Sequence, residues 1–211
     1  TVGHGLTATP EMVFLKNRDD VRVWRVTCTG LAQGEDLRLN ETVAKSSVTN
    51  GTVDLTTSTS SLLNLKVGSG ATPQANVNNG TDQYILYCWH SVEGYSKIGT
   101  YTGNGNADGP FIYLGFRPAW IIVKRIAGGT GNWHLVDAER DTSNPTEKWL
   151  EPNEPAAEQS GAATQYIDFL SNGFKVRGSG NQTNASTSTY VYIAFAENPF
   201  GGENQPPATA R

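Results

Sequence analysis

Charge is scarce in this chain. Lys, Arg, Asp and Glu make up 17% of its 211 residues, against about 25% in ordinary soluble domains. The net charge is −4 and no basic stretch stands out, so the electrostatic footprint of a nucleic-acid binder is missing. No apolar run approaches the ~18 residues that a membrane span needs, and no signal-peptide pattern is present. There are only two cysteines, Cys28 and Cys88, which excludes a disulfide framework. Both lie in or beside apolar runs and read as small buried hydrophobes, with a disulfide between them as the other reading. No Cys-x-x-Cys and no His/Cys cluster with zinc spacing occurs, and His4, His90 and His134 are scattered. A G-x-S-x-G elbow, a phosphate loop, H-E-x-x-H and a Rossmann turn are all absent. Long amphipathic helices are lacking too: residues 144–158 are interrupted by Pro145, Pro152 and Pro155.

What is present favours strands. Glycine is abundant, at 23 residues, and Thr, Ser and Asn are frequent, a mixture suited to strands and turns. The most apolar stretch is Ala119-Trp120-Ile121-Ile122-Val123-Lys124-Arg125. Trp120 and Ile122 fall on one face and Ile121 and Val123 on the other, which predicts a strand covered on both sides. Further strands are expected at residues 12–17, 21–27, 62–67, 84–92, 98–102, 111–114, 133–137, 166–170, 174–177 and 190–197. Ser171-Asn172-Gly173 is the best short hairpin signal, since Asn-Gly accepts positive φ at both turn positions. Residues 46–61, polar and rich in Ser and Thr, read as a long surface loop or a polar edge strand.

The apolar stretch has a twin. Pro10 to Lys16 repeats the layout of Pro118 to Lys124, an offset of 108. Trp24 aligns with Trp133 at 109, and Leu37-Arg38-Leu39-Asn40-Glu41 with Leu150-Glu151-Pro152-Asn153-Glu154 at 113. Leu65-Lys66-Val67 aligns with Phe174-Lys175-Val176, and Tyr84 to Trp89 with Tyr190 to Phe195 at 106. Blocks in one order with slowly drifting offsets predict two copies of a β unit of ~105 residues. The expected fold is all-β: two homologous β-sandwich-like, jelly-roll-like repeats packed together, at 1–100 and 101–200, with a tail at 201–211. The chain opens at Thr1 without Met, and the counterpart of Tyr101-Thr102-Gly103-Asn104-Gly105 would lie upstream of it. Both observations lead us to expect a piece of a longer polypeptide.

Chemistry is less legible. A carboxylate pair for glycoside hydrolysis could be drawn from Asp137, Glu139, Asp141 or Glu154, but free choice among 20 acidic residues singles out none. Asn104, Asn106 and Asp108 alternate like the front half of a calcium loop. The distal Glu is missing there, so a Gly/Asn turn without metal competes with a structural calcium. Glu41 and Glu154 recur in both copies, which reads as structural. Most tryptophans fall in repeated strand blocks and read as core. Trp149 and Tyr95 lie near loops and are the candidates for stacking on a sugar ring.

One longer pattern is specific. Gly94-Tyr95-Ser96-Lys97-Ile98-Gly99-Thr100-Tyr101-Thr102-Gly103-Asn104-Gly105 runs into Ala107-Asp108-Gly109-Pro110-Phe111, then Gly115-Phe116-Arg117-Pro118-Ala119-Trp120. Asp168-Phe169-Leu170-Ser171-Asn172-Gly173-Phe174-Lys175 and Phe195-Ala196-Glu197-Asn198-Pro199-Phe200 follow. This wording resembles a β-rich repeat domain of tailed-bacteriophage virion proteins, of tail-fibre, tailspike or appendage type. The tail from Pro206 to Arg211 resembles a C-terminus of that family. The resemblance implies a virion structural protein exposed on the particle, with host attachment as its role. It implies no enzyme and no cofactor. The partners it implies are other virion proteins, further copies of the chain in a homotrimer, and a host-surface glycan. A decoration protein with purely structural contacts and, behind it, a polysaccharide depolymerase are the competing readings. In the family the block at Cys88-Trp89-His90-Ser91 tends to read Cys-Phe-Ala-Glu. The departure at Ser91 speaks against a shared essential carboxylate.

Overall fold

The computed structural model describes residues 1–47, 52–66 and 77–199. Its contacts form two compact units, Thr1–His90 and a second from Ser91 onward. Both are built from antiparallel strands. Among the described residues the only helical element is one 3-10 turn, Ala163–Gln165.

The first unit holds β1 (Val2–Gly3), β2 (Met12–Asn17), β3 (Arg25–Cys28), β4 (Glu35–Arg38), β5 (Ser46–Ser47), β6 (Thr52–Asp54), β7 (Leu62–Lys66) and β8 (Tyr84–Trp89). One sheet runs β5-β4-β3-β2-β8 and the other β1-β7-β6. Val13 and Leu15 of β2 meet Val53 of β6 and Leu63 of β7 between them, with Leu86 and Cys88 packed alongside. This is the arrangement of a sandwich.

The second unit holds β9 (Ser96–Thr102), β10 (Phe111–Tyr113), β11 (Pro118–Ala127), β12 (His134–Asp137), β13 (Lys148–Trp149), β14 (Gln159–Ser160), β15 (Ile167–Leu170), β16 (Gly173–Val176) and β17 (Thr189–Ala196). Its sheets run β12-β11-β17-β9 and β10-β16-β15, with β13-β14 beside them. Ile121 and Val123 of β11 and Tyr190, Tyr192 and Ala194 of β17 face Ile112, Ile167, Phe169, Phe174 and Val176 of the smaller sheet. Ile122 and Lys124, on the opposite face of β11, are buried as well, so this strand is covered on both sides.

One pairing scheme occurs in both units. β2 lies between β3 and β8, as β11 lies between β12 and β17. Met12 pairs with Trp89 and Trp120 with Phe195, at the offsets of 108 and 106 read from the sequence. Met12 also pairs with Cys28 and Trp120 with Asp137, at 108 and 109. The smaller sheets agree in order, with β7 and β16 central. Val26 meets Leu37 within the β3–β4 ladder, whereas Leu135 meets Leu150 through an isolated bridge.

Several details differ from expectation. The strand expected at 21–27 begins only at Arg25. Asn17 Oδ1 accepts hydrogen bonds from the amides of Asp19 and Asp20 at 2.9 and 3.0 Å, curling the chain into a turn. Val21 beyond it is 96% exposed. The stretch 46–61 is not all surface: Val53 and Asp54 of β6 are buried, while residues 48–51 lie outside the described part. The tail at 201–211 also lies outside it. Residues 91–100, expected in the first repeat, belong to the second unit because β9 pairs with β17 along its length. The hairpin at Asn172 forms between β15 and β16, but neither Asn172 nor Gly173 takes positive φ. Glycine is required at 173 for a different reason. A Cβ there would lie 2.1 Å from the Ile112 carbonyl oxygen of neighbouring β10.

Candidate functional site

The residues that resembled a calcium loop are spent on one another. Asn104 Oδ1 accepts from the Asn106 amide at 2.9 Å, and Asn106 Oδ1 from the Asp108 amide at 3.0 Å. Such side-chain turns mimic backbone turns. Asp108 faces Lys175 Nζ at 2.6 Å, and hydrogen bonding to that ammonium lowers its pKa. At the hub sits Asn184, fully buried. Its Nδ2 donates to Asn104 Oδ1, to the Asn106 carbonyl and to the Gly178 carbonyl at 2.9, 2.8 and 2.8 Å. Its Oδ1 accepts from the Asn104 amide at 2.8 Å. Alternating side-chain oxygens could serve a cation or amides equally well by sequence; here those of Asn104 and Asn106 serve amides and the Asp108 carboxylate meets Lys175.

Trp149, a candidate stacking residue, is in the core. It is 6% exposed and lies 5.5 Å from the His134 ring. The bridge between Leu135 and Leu150 holds β13 against β12 and turns the indole inward. Tyr95, the other candidate, is on the surface, its ring edge-on to Phe195 at 5.8 Å. The structure thus separates the two and forms no joint site from them. His134 itself is fully buried, and neither ring nitrogen has a well-aligned partner among the described residues. Burial pushes its pKa down to about 4, outweighing the opposite pull of Gln182, Glu151 and the Gln165 backbone.

The recurrent Asn-Glu block is a structural tie. Asn40 Oδ1 accepts from the Trp24 amide at 2.9 Å, and Asn153 Oδ1 from the Trp133 amide at 2.8 Å. Glu41 binds Arg38 at 2.8 Å, and Glu154 accepts from Asn153 Nδ2 at 3.2 Å. Cys28 and Cys88 are free thiols, Cys28 buried. Trp24 and Trp89 are not fully buried, unlike Trp133. With Tyr87 they form a near-parallel row, centroids 6.4 and 6.1 Å apart.

The feature that sequence reasoning missed is the outer face of β10-β16-β15. Strand alternation turns Ile112, Phe174, Val176, Ile167 and Phe169 inward. It leaves two rows outward: Phe111, Lys175 and Asp168, then Tyr113, Gly173 and Leu170. Phe111 is 46% exposed and Tyr113 65%. Phe116, Phe169, Phe174, Tyr101, Tyr190, Tyr192, Trp133 and Trp149 in the same unit are all buried. Glycines lie beneath the two outward rings. A Cβ at Gly173 would be 3.1 Å from Phe111 Cε2, and one at Gly115 would be 3.7 Å from Tyr113 Oη. The absent side chain at Gly173 leaves room for the Phe111 ring against the sheet, while the contact at Gly115 is an ordinary one. Around them Lys175 pairs with Asp108, and Arg177 with Asp168 at 3.4 Å, so nearby charges balance. The matching position in β7 holds Asn64, whose side chain donates to the Thr57 carbonyl at 2.7 Å. The three consecutive apolar residues Phe111-Ile112-Tyr113 read as a covered strand, so the sequence carried no signal for this open face.

The fold is thus an all-β protein of two sandwich units tied in part by side-chain bonds to backbone amides, with an aromatic sheet face of the second unit open to solvent. The chain belongs to a family described as a domain of unknown function (DUF7483), whose model matches residues 1–199. No curated protein and no solved structure matches it.

Proposed function

We propose that the chain is a bacteriophage virion component, a tail-fibre or appendage domain that attaches the particle to the host surface, and that its two units descend from one duplicated unit. The exposed pair Phe111 and Tyr113 supports attachment most directly, because two large aromatic rings on one sheet face stand in water beside a core that buries eight others. The wording from Gly94 to Gly105, continuing to Trp120, is the support for a phage origin. In this reading the partners are other virion chains, further copies in a homotrimer and a host-surface glycan, and no covalent chemistry is assigned.

The test is binding of the purified chain to candidate host cells and their extracted surface glycans, with its mass in solution recorded alongside. Saturable binding without glycan shortening is expected. Failure to bind cells, together with assembly onto other virion proteins, would replace attachment by a purely structural role. Glycan shortening that is lost on substituting one acidic pair would establish a depolymerase instead.

A further inference from the structure

We propose that the outer face of β10-β16-β15 is a carbohydrate site that stacks a neutral pyranose ring on Phe111 and Tyr113. The inference rests on the attachment reading and names the chemistry it would use. Both rings project from alternate positions of one strand and therefore share a face. Gly173 beneath the Phe111 ring lets it lie close to the sheet, leaving the opposite π-face for a ligand. The apolar C–H face of a pyranose is the complement of such a ring, and its edge carries hydroxyls that need donors and acceptors. Lys175 and Asp168 stand in the same register row as Phe111, so an ammonium and a carboxylate lie beside the stacking surface.

Charge decides which sugars fit. Lys175 is neutralised by Asp108 and Asp168 by Arg177. Among the described residues no unbalanced cation is left on this face to favour a uronate or sialate, so a neutral hexose or N-acetylhexosamine is the expected class. The chain's overall charge of −4 also opposes stacking of nucleic-acid bases on the same rings. The Trp24–Tyr87–Trp89 row is a weaker candidate, since its near-parallel rings stand against one another.

Saturation-transfer NMR on the whole chain tests this, using the methyl glycosides of glucose, galactose, mannose and N-acetylglucosamine, with methyl glucuronide as the acidic comparison. Transfer to at least one neutral glycoside is expected, at least tenfold weaker in the Phe111→Ala/Tyr113→Ala variant and within about threefold of wild type in Tyr113→Trp. Should the double variant fail to fold, Tyr113→Ser at the more exposed position carries the same expectation. No transfer from any neutral glycoside, equal transfer in the alanine variants, or preference for the glucuronide would overturn the proposal. So would a drop in solution mass on losing the two rings, which would make the face a contact between copies. Cell binding separates this idea from the attachment reading. Equal cell binding by wild type and double variant would sink the sugar site and spare attachment. Absence of cell binding beside clear glycoside transfer would do the reverse.

Discussion

Asn153 Oδ1 accepts the amide hydrogen of Trp133, 2.8 Å away, beside a fully buried indole. The same bond joins Asn40 to Trp24 in the first unit, but Asn40 is exposed. Stranding a buried amide costs about 1–3 kcal/mol, whereas an exposed one regains water. Asn153→Ala should therefore lower the unfolding free energy of the second unit by that amount, and Asn40→Ala should cost the first unit less. Equal costs, measured by chemical unfolding, would contradict the stated difference in burial.

Asn184 ties two loops together through four hydrogen bonds. Asn184→Ala is expected to destabilise by about 2–4 kcal/mol, more than one bond's worth, because several polar groups lose their partner at once. Asp108, exposed on the rim and paired with Lys175, should tolerate Asn with little loss of stability. Millimolar calcium should leave the melting temperature unchanged, since the Asn104 and Asn106 oxygens accept amide hydrogens and the Asp108 carboxylate is paired with Lys175. A rise in Tm with calcium, reporting ligand binding to the folded state, would show that the loop rearranges around the ion.

His134 makes stability depend on acid. Its folded pKa is depressed to about 4 by burial, against roughly 6.5 in the unfolded chain. Its contribution is therefore intact above pH 6.5 and declines as pH falls toward 4, because the unfolded state takes up the proton first. The full difference amounts to about 3 kcal/mol. His134→Phe should flatten the acid limb of the stability curve between pH 6.5 and 4, whatever it does to stability at pH 7. An unchanged limb would mean that His134 is reached by protons in the folded state.

The two residues first considered for sugar stacking should behave oppositely. Trp149→Ala opens a cavity in the core of the second unit and is expected to cost about 3–5 kcal/mol. Tyr95→Ala, at a surface ring edge-on to Phe195, should cost about 1 kcal/mol or less. Thermal unfolding of the two variants gives the comparison, and neither substitution should change glycoside binding at Phe111 and Tyr113.

The all-β class and most strand positions were legible because alternation and glycine turns are local signals. Met12–Asn17 emerges with the bounds expected of it. β4, β5, β13 and β14 were not legible, being two to four residues long and held by neighbours rather than by their own pattern. Repeated letters told truly where Asn40 and Asn153 sit, but not that each caps a tryptophan amide. For Asn104, Asn106 and Asp108 the sequence left turn and metal open for a physical reason: an oxygen that can hold a cation can equally hold an N–H, and only position selects between them. Trp149 misled because a bridge fourteen residues back, at Leu135, draws it inward. The aromatic face was missed because exposure depends on which side of β10 meets the core, and that is set by Ile112 packing against strands more than fifty residues away.

β17 also governs the order in which the second unit can assemble. It fills the place between β11 and β9, and its Thr189 pairs with Thr102 and its Phe195 with Ser96. On a ribosome, the middle of that sheet is the last part to be made. Until it arrives, β9 and β11 each have an open edge of the kind that recruits other chains, and closing the sheet then joins segments separated by most of the unit's length. The ordering step is therefore late and slow, and a chain released before residue 189 would carry every other strand of this unit without the one that joins them.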